Sequence, residues 1–125
     1  VLGLGGRLTF CGFEPNLLRV WAAHHILLVS SRREGCALAM LEALACGRPV
    51  ITTEVGGARD WVEPGVNGWI VPPGNASAMA AGLQVALEDF SRWSEMGTAA
   101  AESIRVKYDW NPEAAVLSAL EGSFL

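Results

Sequence analysis

Two glutamates, Glu34 and Glu42, stand on either side of what reads as a turn into a helix. A carboxylate in such a turn, and another one or two turns into the helix, can both face one crevice. There they can accept hydrogen bonds from sugar hydroxyls. Gly35 follows the first glutamate and lets a backbone approach a ligand closely. The amides of Cys36, Ala37 and Leu38 then fall at the helix start, where free N–H groups and the helix dipole attract a diphosphate. The seven-residue spacing alone means little, because Glu113 and Glu121 repeat it on what reads as a solvated helix face.

The elements around these residues have to hold them in place. The apolar run 26–29 precedes the pair, and the β-branched run 50–53 follows Gly47 and Pro49. The order is strand, loop, helix, strand, the unit in which α/β proteins hold nucleotides at the carboxyl ends of parallel strands. The sequence predicts strands at 8–11, 26–30, 49–53 and 69–71. Helices are predicted from Glu14-Pro15 to about Ala23, with Leu17, Leu18 and Trp21 inward, and over 38–46, with Gly47 at the C′ position. A helical turn covers 58–62. Asn75 is expected to cap a helix that puts Met79, Leu83, Leu87 and Phe90 on one face. Ser91 is expected to cap the next, with Trp93, Met96, Ala100 and Ile104 inward. Asn111-Pro112 starts a last one.

The joint pattern is more specific than any one element. Ser31-Arg-Arg-Glu-Gly, the gap to Glu42 and then Glu42-Ala-Leu-Ala-Cys-Gly-Arg-Pro-Val50 resemble the signature of glycosyltransferase family 4. Thr53-Glu-Val-Gly-Gly-Ala-Arg-Asp-Trp-Val62 resembles that family's Gly-Gly-x-x-Glu segment, with Asp60 for the usual Glu. Residues 64–74 resemble its short last strand and turn. The likeness runs from about Leu8 to about Trp110. Ser30 stands where Pro is usual, and Cys36-Ala37 replace the common Phe-Gly.

The resemblance implies a retaining, metal-independent enzyme of the GT-B type, built from two Rossmann-like domains that face each other across a cleft. Such an enzyme moves a sugar from a nucleotide diphosphate donor to an acceptor hydroxyl and needs no cofactor. Glu34 would be the catalytic carboxylate at the donor sugar, and Glu42 would hold the ribose hydroxyls. The amides of Gly35, Cys36, Ala37 and Leu38 would hold the diphosphate, and Gly12 and Phe13 the base. Gly56-Gly57 reads equally as part of that site or as a tight turn. The resemblance makes 1–110 a partial nucleotide-sugar-binding domain that lacks its first strands, and 111–125 a C-terminal helix. The strand at 8–11, without its native neighbour, would pair elsewhere or lie at an edge. The acceptor would be held by a missing N-terminal GT-B domain, and any peripheral membrane association would run through it too. The family's phosphate-binding Arg and Lys lie upstream of the segment resembled, so this chain alone is expected to be inactive. Other classes are another GT-B enzyme, such as a glycogen or starch synthase type or a sugar-nucleotide epimerase, and a truncated, non-catalytic remnant or nucleotide-binding module.

Composition sets outer limits. The 125 residues are 51% hydrophobic and 18% charged, a balance that fits strands buried on both faces. The chain starts at Val1 without Met and shows no secretory signal. A net charge of −4 without a basic stripe argues against nucleic acid. Cys11, Cys36 and Cys46 form no metal-type pair, and Cys11 and Cys46 read as buried free thiols in a reducing cytoplasm. His24-His25 reads as helix C-terminal solvation or dipole interaction, Arg32-Arg33 reads equally as a phosphate contact or a solvated loop, and the five tryptophans read as packing.

Overall fold

The computed structural model describes residues 3–108. Three parallel strands form the centre: β1 (Leu27–Val29), β2 (Val50–Thr53) and β3 (Gly68–Val71), in the spatial order β1-β2-β3. The register aligns Leu28 with Ile51, and Ile51 with Trp69. Three of the four strands read from sequence pair in the order the resemblance implies.

Every residue of β2 is buried, so helices must cover both faces of the sheet. Successive side chains on a strand point to opposite faces. Val50 belongs to one core with Met40, Ala43 and Leu44 of α2 (Leu38–Ala45), Trp21 of α1 (Leu17–Ala23), and Ala100 and Ile104. Ile51 belongs to the other, with Trp69, Ala86 of α4 (Ala76–Glu88) and Met96. A short α3 (Ala58–Trp61) links β2 to β3. A 3-10 turn at Phe90–Arg92 leads into α5 (Trp93–Tyr108), which lies against α2.

The ends of α2 are set by chemistry that the sequence displays. Gly47, at φ +69°, follows the C-cap residue Cys46 and turns the chain out of the helix toward β2. Gly97 meets it there, and a Cβ on Gly97 would collide with the Gly47 carbonyl oxygen. That closeness lets α5 cross the end of α2 backbone to backbone.

Six expectations need correction. Residues 8–11 form no strand: Leu8 and Phe10 are exposed, and Cys11 is exposed rather than buried. A four-residue segment with no neighbour to complete a hydrogen-bond ladder gains nothing over bonding to water. Helix α1 starts at Leu17, because Asn16 caps it by accepting the Arg19 amide at 3.1 Å. Only Trp21 of its predicted inner face is buried, and Leu17 and Leu18 are exposed. On α4, which Asn75 caps as expected, Met79 and Leu83 pack against the second core as read, while Leu87, and Phe90 in the turn beyond the helix, are exposed. That inner face also runs through Gly82 and Ala86, since a Cβ on Gly82 would stand 2.7 Å from Val71 Cγ1. Ser91 lies inside the 3-10 turn rather than capping α5, while Met96, Ala100 and Ile104 are buried as read. The helix expected from Asn111, and Trp110, lie outside the described residues.

Candidate functional site

The carboxyl ends of all three strands lie on one edge of the sheet, and the loops 30–37, 54–57 and 72–75 leave from there. Open parallel sheets bind ligands at this edge. The first loop carries Glu34, Gly35 and Cys36, all exposed, and runs into α2. Ala37 is the N-cap residue of α2 and offers no side-chain cap. Its carbonyl takes the amides of Met40 and Leu41, at 2.9 and 3.4 Å. The first amides of a helix have no partner within it, so those just before Met40 are open to an acceptor from outside. Leu38, beside them, is 70% exposed.

Glu42 lies one turn further on. It is half-buried, and helical geometry puts it on the side of α2 away from Met40, Ala43 and Leu44, in line with Leu38. The two carboxylates thus differ in setting, one in an exposed loop and one on the flank of a packed helix. Gly12, at φ +66°, and Phe13, 93% exposed, precede α1 on a segment with no regular structure.

The Glu34 loop is fastened to its neighbour. The Gly57 amide donates to the Gly35 carbonyl at 3.0 Å. Gly56, at φ +52°, comes so close that an added Cβ would collide with the carbonyl oxygens of both Glu34 and Gly35. At the other end of the loop, the hydroxyl of buried Thr53 donates to the Ser31 carbonyl at 2.6 Å. The sequence marked Gly56-Gly57 as a pair of two meanings, and the structure shows backbone meeting backbone. Thr53 went unread as a site residue, because a threonine at a strand end carries no signal beyond β-propensity. Glu54, which opens the loop 54–57, pairs with Arg59 of α3 at 2.6 Å, and the guanidinium holds the Glu54 carboxyl below its ordinary range.

Two cavities flank the sheet. One of about 370 Å³ opens at the carboxyl edge, lined among others by Ser30, Arg32, Thr53, Asn75 and Met79. It takes Arg32 from the loop but not Glu34. A wider groove of about 910 Å³ lies at the opposite edge, where His25, Gly47 and Arg48 precede the strands, with Trp93 and Arg105 facing them. None of the candidate site residues Gly12, Phe13, Glu34, Gly35, Cys36, Ala37, Leu38 and Glu42 lines it. His24, which is exposed, bonds the Val20 carbonyl through Nδ1 at 2.6 Å, and the His25 ring lies 6.4 Å from that of Trp93. Among the described residues, no three His, Cys, Asp or Glu side chains gather to hold a metal, and no helix is long and apolar enough to cross a membrane.

Residues 1–89 match the family described as glycosyl transferases group 1. The N-acetyl-alpha-D-glucosaminyl L-malate synthase of Bacillus anthracis is 32% identical over 82% of this chain and 27% of its own length. The D-inositol 3-phosphate glycosyltransferase of Corynebacterium glutamicum is 36% identical over 95% of this chain and 29% of its own. The chain thus spans between about a quarter and three-tenths of the length of these relatives. Among solved structures, Anabaena Alr3699/HepE in complex with UDP and glucose superposes with a TM-score of 0.75 at 30% identity, over 82% of this chain and 28% of that one. Sucrose-phosphate synthase from Thermosynechococcus elongatus gives 0.69 at 31% identity, over 84% and 26%. The parallel α/β sheet with its following helices is therefore the fold found in GT-B glycosyltransferases.

Proposed function

The chain belongs to the glycosyl transferases group 1 family, and from that membership we propose that it forms the donor-binding part of a retaining, metal-independent glycosyltransferase. The donor is a nucleoside diphosphate sugar, in line with the UDP and glucose named for the Anabaena structure. In the reaction, the bond from the anomeric carbon to the diphosphate oxygen breaks. The acceptor hydroxyl oxygen bonds to that carbon with retention, its proton leaves, and the nucleoside diphosphate is released.

Each site residue has one task in this reading. Glu34 accepts hydrogen bonds from hydroxyls of the donor sugar and orients its anomeric carbon. The amides of Gly35, Cys36, Ala37 and Leu38 hold the diphosphate at the start of α2, where the dipole favours the charge that grows on the leaving group. Glu42 accepts from the ribose hydroxyls, and Gly12 and Phe13 meet the base. The observation that carries the proposal is the Glu34-Gly35 loop, held by Gly57 at the carboxyl edge of the sheet and running straight into the open amides of α2. The exposed thiols of Cys11 and Cys36 suit a reducing cytoplasm.

The acceptor belongs to a second domain in this reading, and the chain alone transfers no sugar. A charge-assisted hydrogen bond contributes roughly 1.5–3 kcal/mol, so a donor that lacks two such contacts loses on the order of a hundredfold or more in affinity. Two carboxylates beside the diphosphate cannot offset that. Calorimetric titration with UDP- and GDP-sugars tests the proposal. It predicts millimolar binding of one nucleotide class and no turnover. A micromolar dissociation constant or measurable transfer contradicts the need for a second domain, and the absence of binding for every nucleotide contradicts the site.

A further inference from the structure

We infer that Thr53 is a positioning residue for the donor-binding loop, acting through the Ser31 carbonyl and together with the Gly56-Gly57 turn. This rests on the donor-site reading above for its functional consequence, but the loop's dependence on Thr53 can be read without it.

The loop that carries Glu34 begins at Ser31, two residues past the end of β1, and has its last fixed point at Gly35. Its two fixed carbonyls are bonded by the same neighbouring segment. Thr53, the last residue of β2, donates its hydroxyl to the Ser31 carbonyl at 2.6 Å, and Gly57, four residues later, donates its amide to the Gly35 carbonyl at 3.0 Å. Gly56 lies so close to the carbonyl oxygens of Glu34 and Gly35 that no side chain fits there. Arg32, Arg33 and Glu34 are exposed, so the backbone, not the packing of their side chains, decides where Glu34 points. Five residues pinned at both ends lose most of the freedom that an exposed loop otherwise keeps, and that freedom is what a binding carboxylate must give up.

Thr53 suits this task because it is rigid itself. Its backbone pairs with Val71 in the sheet, it is only 3% exposed, and a β-branched side chain in a strand has restricted χ1. Its hydroxyl is thus presented from the most fixed part of the molecule. Replacing the hydroxyl by a methyl keeps the shape, removes the donor and leaves the Ser31 carbonyl without its partner. Serine keeps the donor.

The test compares Thr53→Val and Thr53→Ser with the parent chain by amide hydrogen exchange, and by the size of the chemical-shift changes that a fixed, sub-saturating concentration of UDP produces. The expected result for Thr53→Val is at least tenfold faster exchange of the Gly57 amide, and about tenfold smaller UDP shifts at residues 35–38. Thr53→Ser should match the parent in both. Unchanged exchange at Gly57 in a folded Thr53→Val overturns the inference. Should Thr53→Val not fold, Thr53→Ala takes its place with the same two readings: Gly57 exchange at the parent's rate overturns the inference, and exchange at least tenfold faster upholds it. Loosened exchange in Thr53→Val while UDP shifts nothing in the parent upholds the positioning role, and it is then the donor-site reading that fails.

Discussion

Gly57 donates its backbone amide to the carbonyl of Gly35 at 3.0 Å, and so joins the turn after β2 to the loop after β1. Two segments 22 residues apart in sequence thereby form one surface at the edge of the sheet. Gly56 makes that contact possible, since its φ of +52° and the adjacent carbonyls of Glu34 and Gly35 leave no place for a Cβ. Gly56→Ala is expected to lose about 2–3 kcal/mol of stability, from the left-handed conformation and the forced separation of the two loops. Gly57→Ala should lose under about 1 kcal/mol, because its φ is −82° and the nearest obstacle, Asp60 Oδ2 at 3.2 Å, sits on a side chain that can move. Urea unfolding of the two variants checks the order, and equal losses would contradict it.

Asn67 should be the costliest polar residue to remove. It is 2% exposed, its amide nitrogen donates to the Trp61 carbonyl at 2.9 Å and to Ser103 Oγ at 3.2 Å, and its oxygen accepts the Glu63 amide at 2.8 Å. It therefore ties the segment after α3 to α5. Asn67→Ala leaves these partners unsatisfied, and a loss of about 2–4 kcal/mol in urea unfolding is expected. Ser103→Ala should lose about 1 kcal/mol. A smaller loss for Asn67→Ala than for Ser103→Ala would rule out this ranking.

Much of this arrangement was legible in the sequence, for reasons that differ by element. The β-branched run 50–53 admits only a buried strand, and Gly47-Arg-Pro49 marks where the preceding helix must end. The Glu34 and Glu42 pattern stands out because it is an order along the chain. Residues 8–11 look the same as any buried strand, but whether they pair depends on a neighbour that local sequence does not show. On α4 the inward side of Met79 and Leu83 follows from helical spacing, but Leu87 and Phe90 do not continue it, because the helix ends at Glu88 and the small residues Gly82 and Ala86 make the close contact with Val71 and the second core. Thr53 could not be read as a site residue, since its importance comes from the carbonyl of Ser31, which has no sequence signature.

The exposed pair of Glu54 and Arg59 gives a pH prediction. Arg59 donates a hydrogen bond to the Glu54 carboxylate and holds its pKa below the ordinary value in the folded chain. A depressed folded pKa means that the pair's contribution is present above the unfolded pKa and is lost as pH falls through the folded one. Both side chains are exposed, so the contribution is small and screened by salt. Carboxyl titration by NMR should show Glu54 titrating below an unpaired glutamate, and Arg59→Ala should return it to the ordinary range. A Glu54 titration unmoved by Arg59→Ala would mean that the pair does not persist in solution.

The two glutamates should separate kinetically in a complete enzyme that carries this segment. Glu34→Ala is expected to lower kcat by orders of magnitude, because the sugar loses the contact that orients its reacting carbon. Glu42→Ala should mainly raise KM for the donor, by roughly ten- to a hundredfold for a lost charged hydrogen bond. Steady-state kinetics with the donor varied checks this, and the reverse pattern would exchange the two roles.

Chemical-shift mapping of UDP binding on this chain locates the nucleotide as well as measuring how tightly it binds. The account predicts shifts concentrated on the amides of 35–38 at the start of α2 and on Glu42, with Gly57 following through its bond to Gly35. Shifts centred instead on the groove of His25, Arg48 and Arg105 at the opposite edge of the sheet would contradict it.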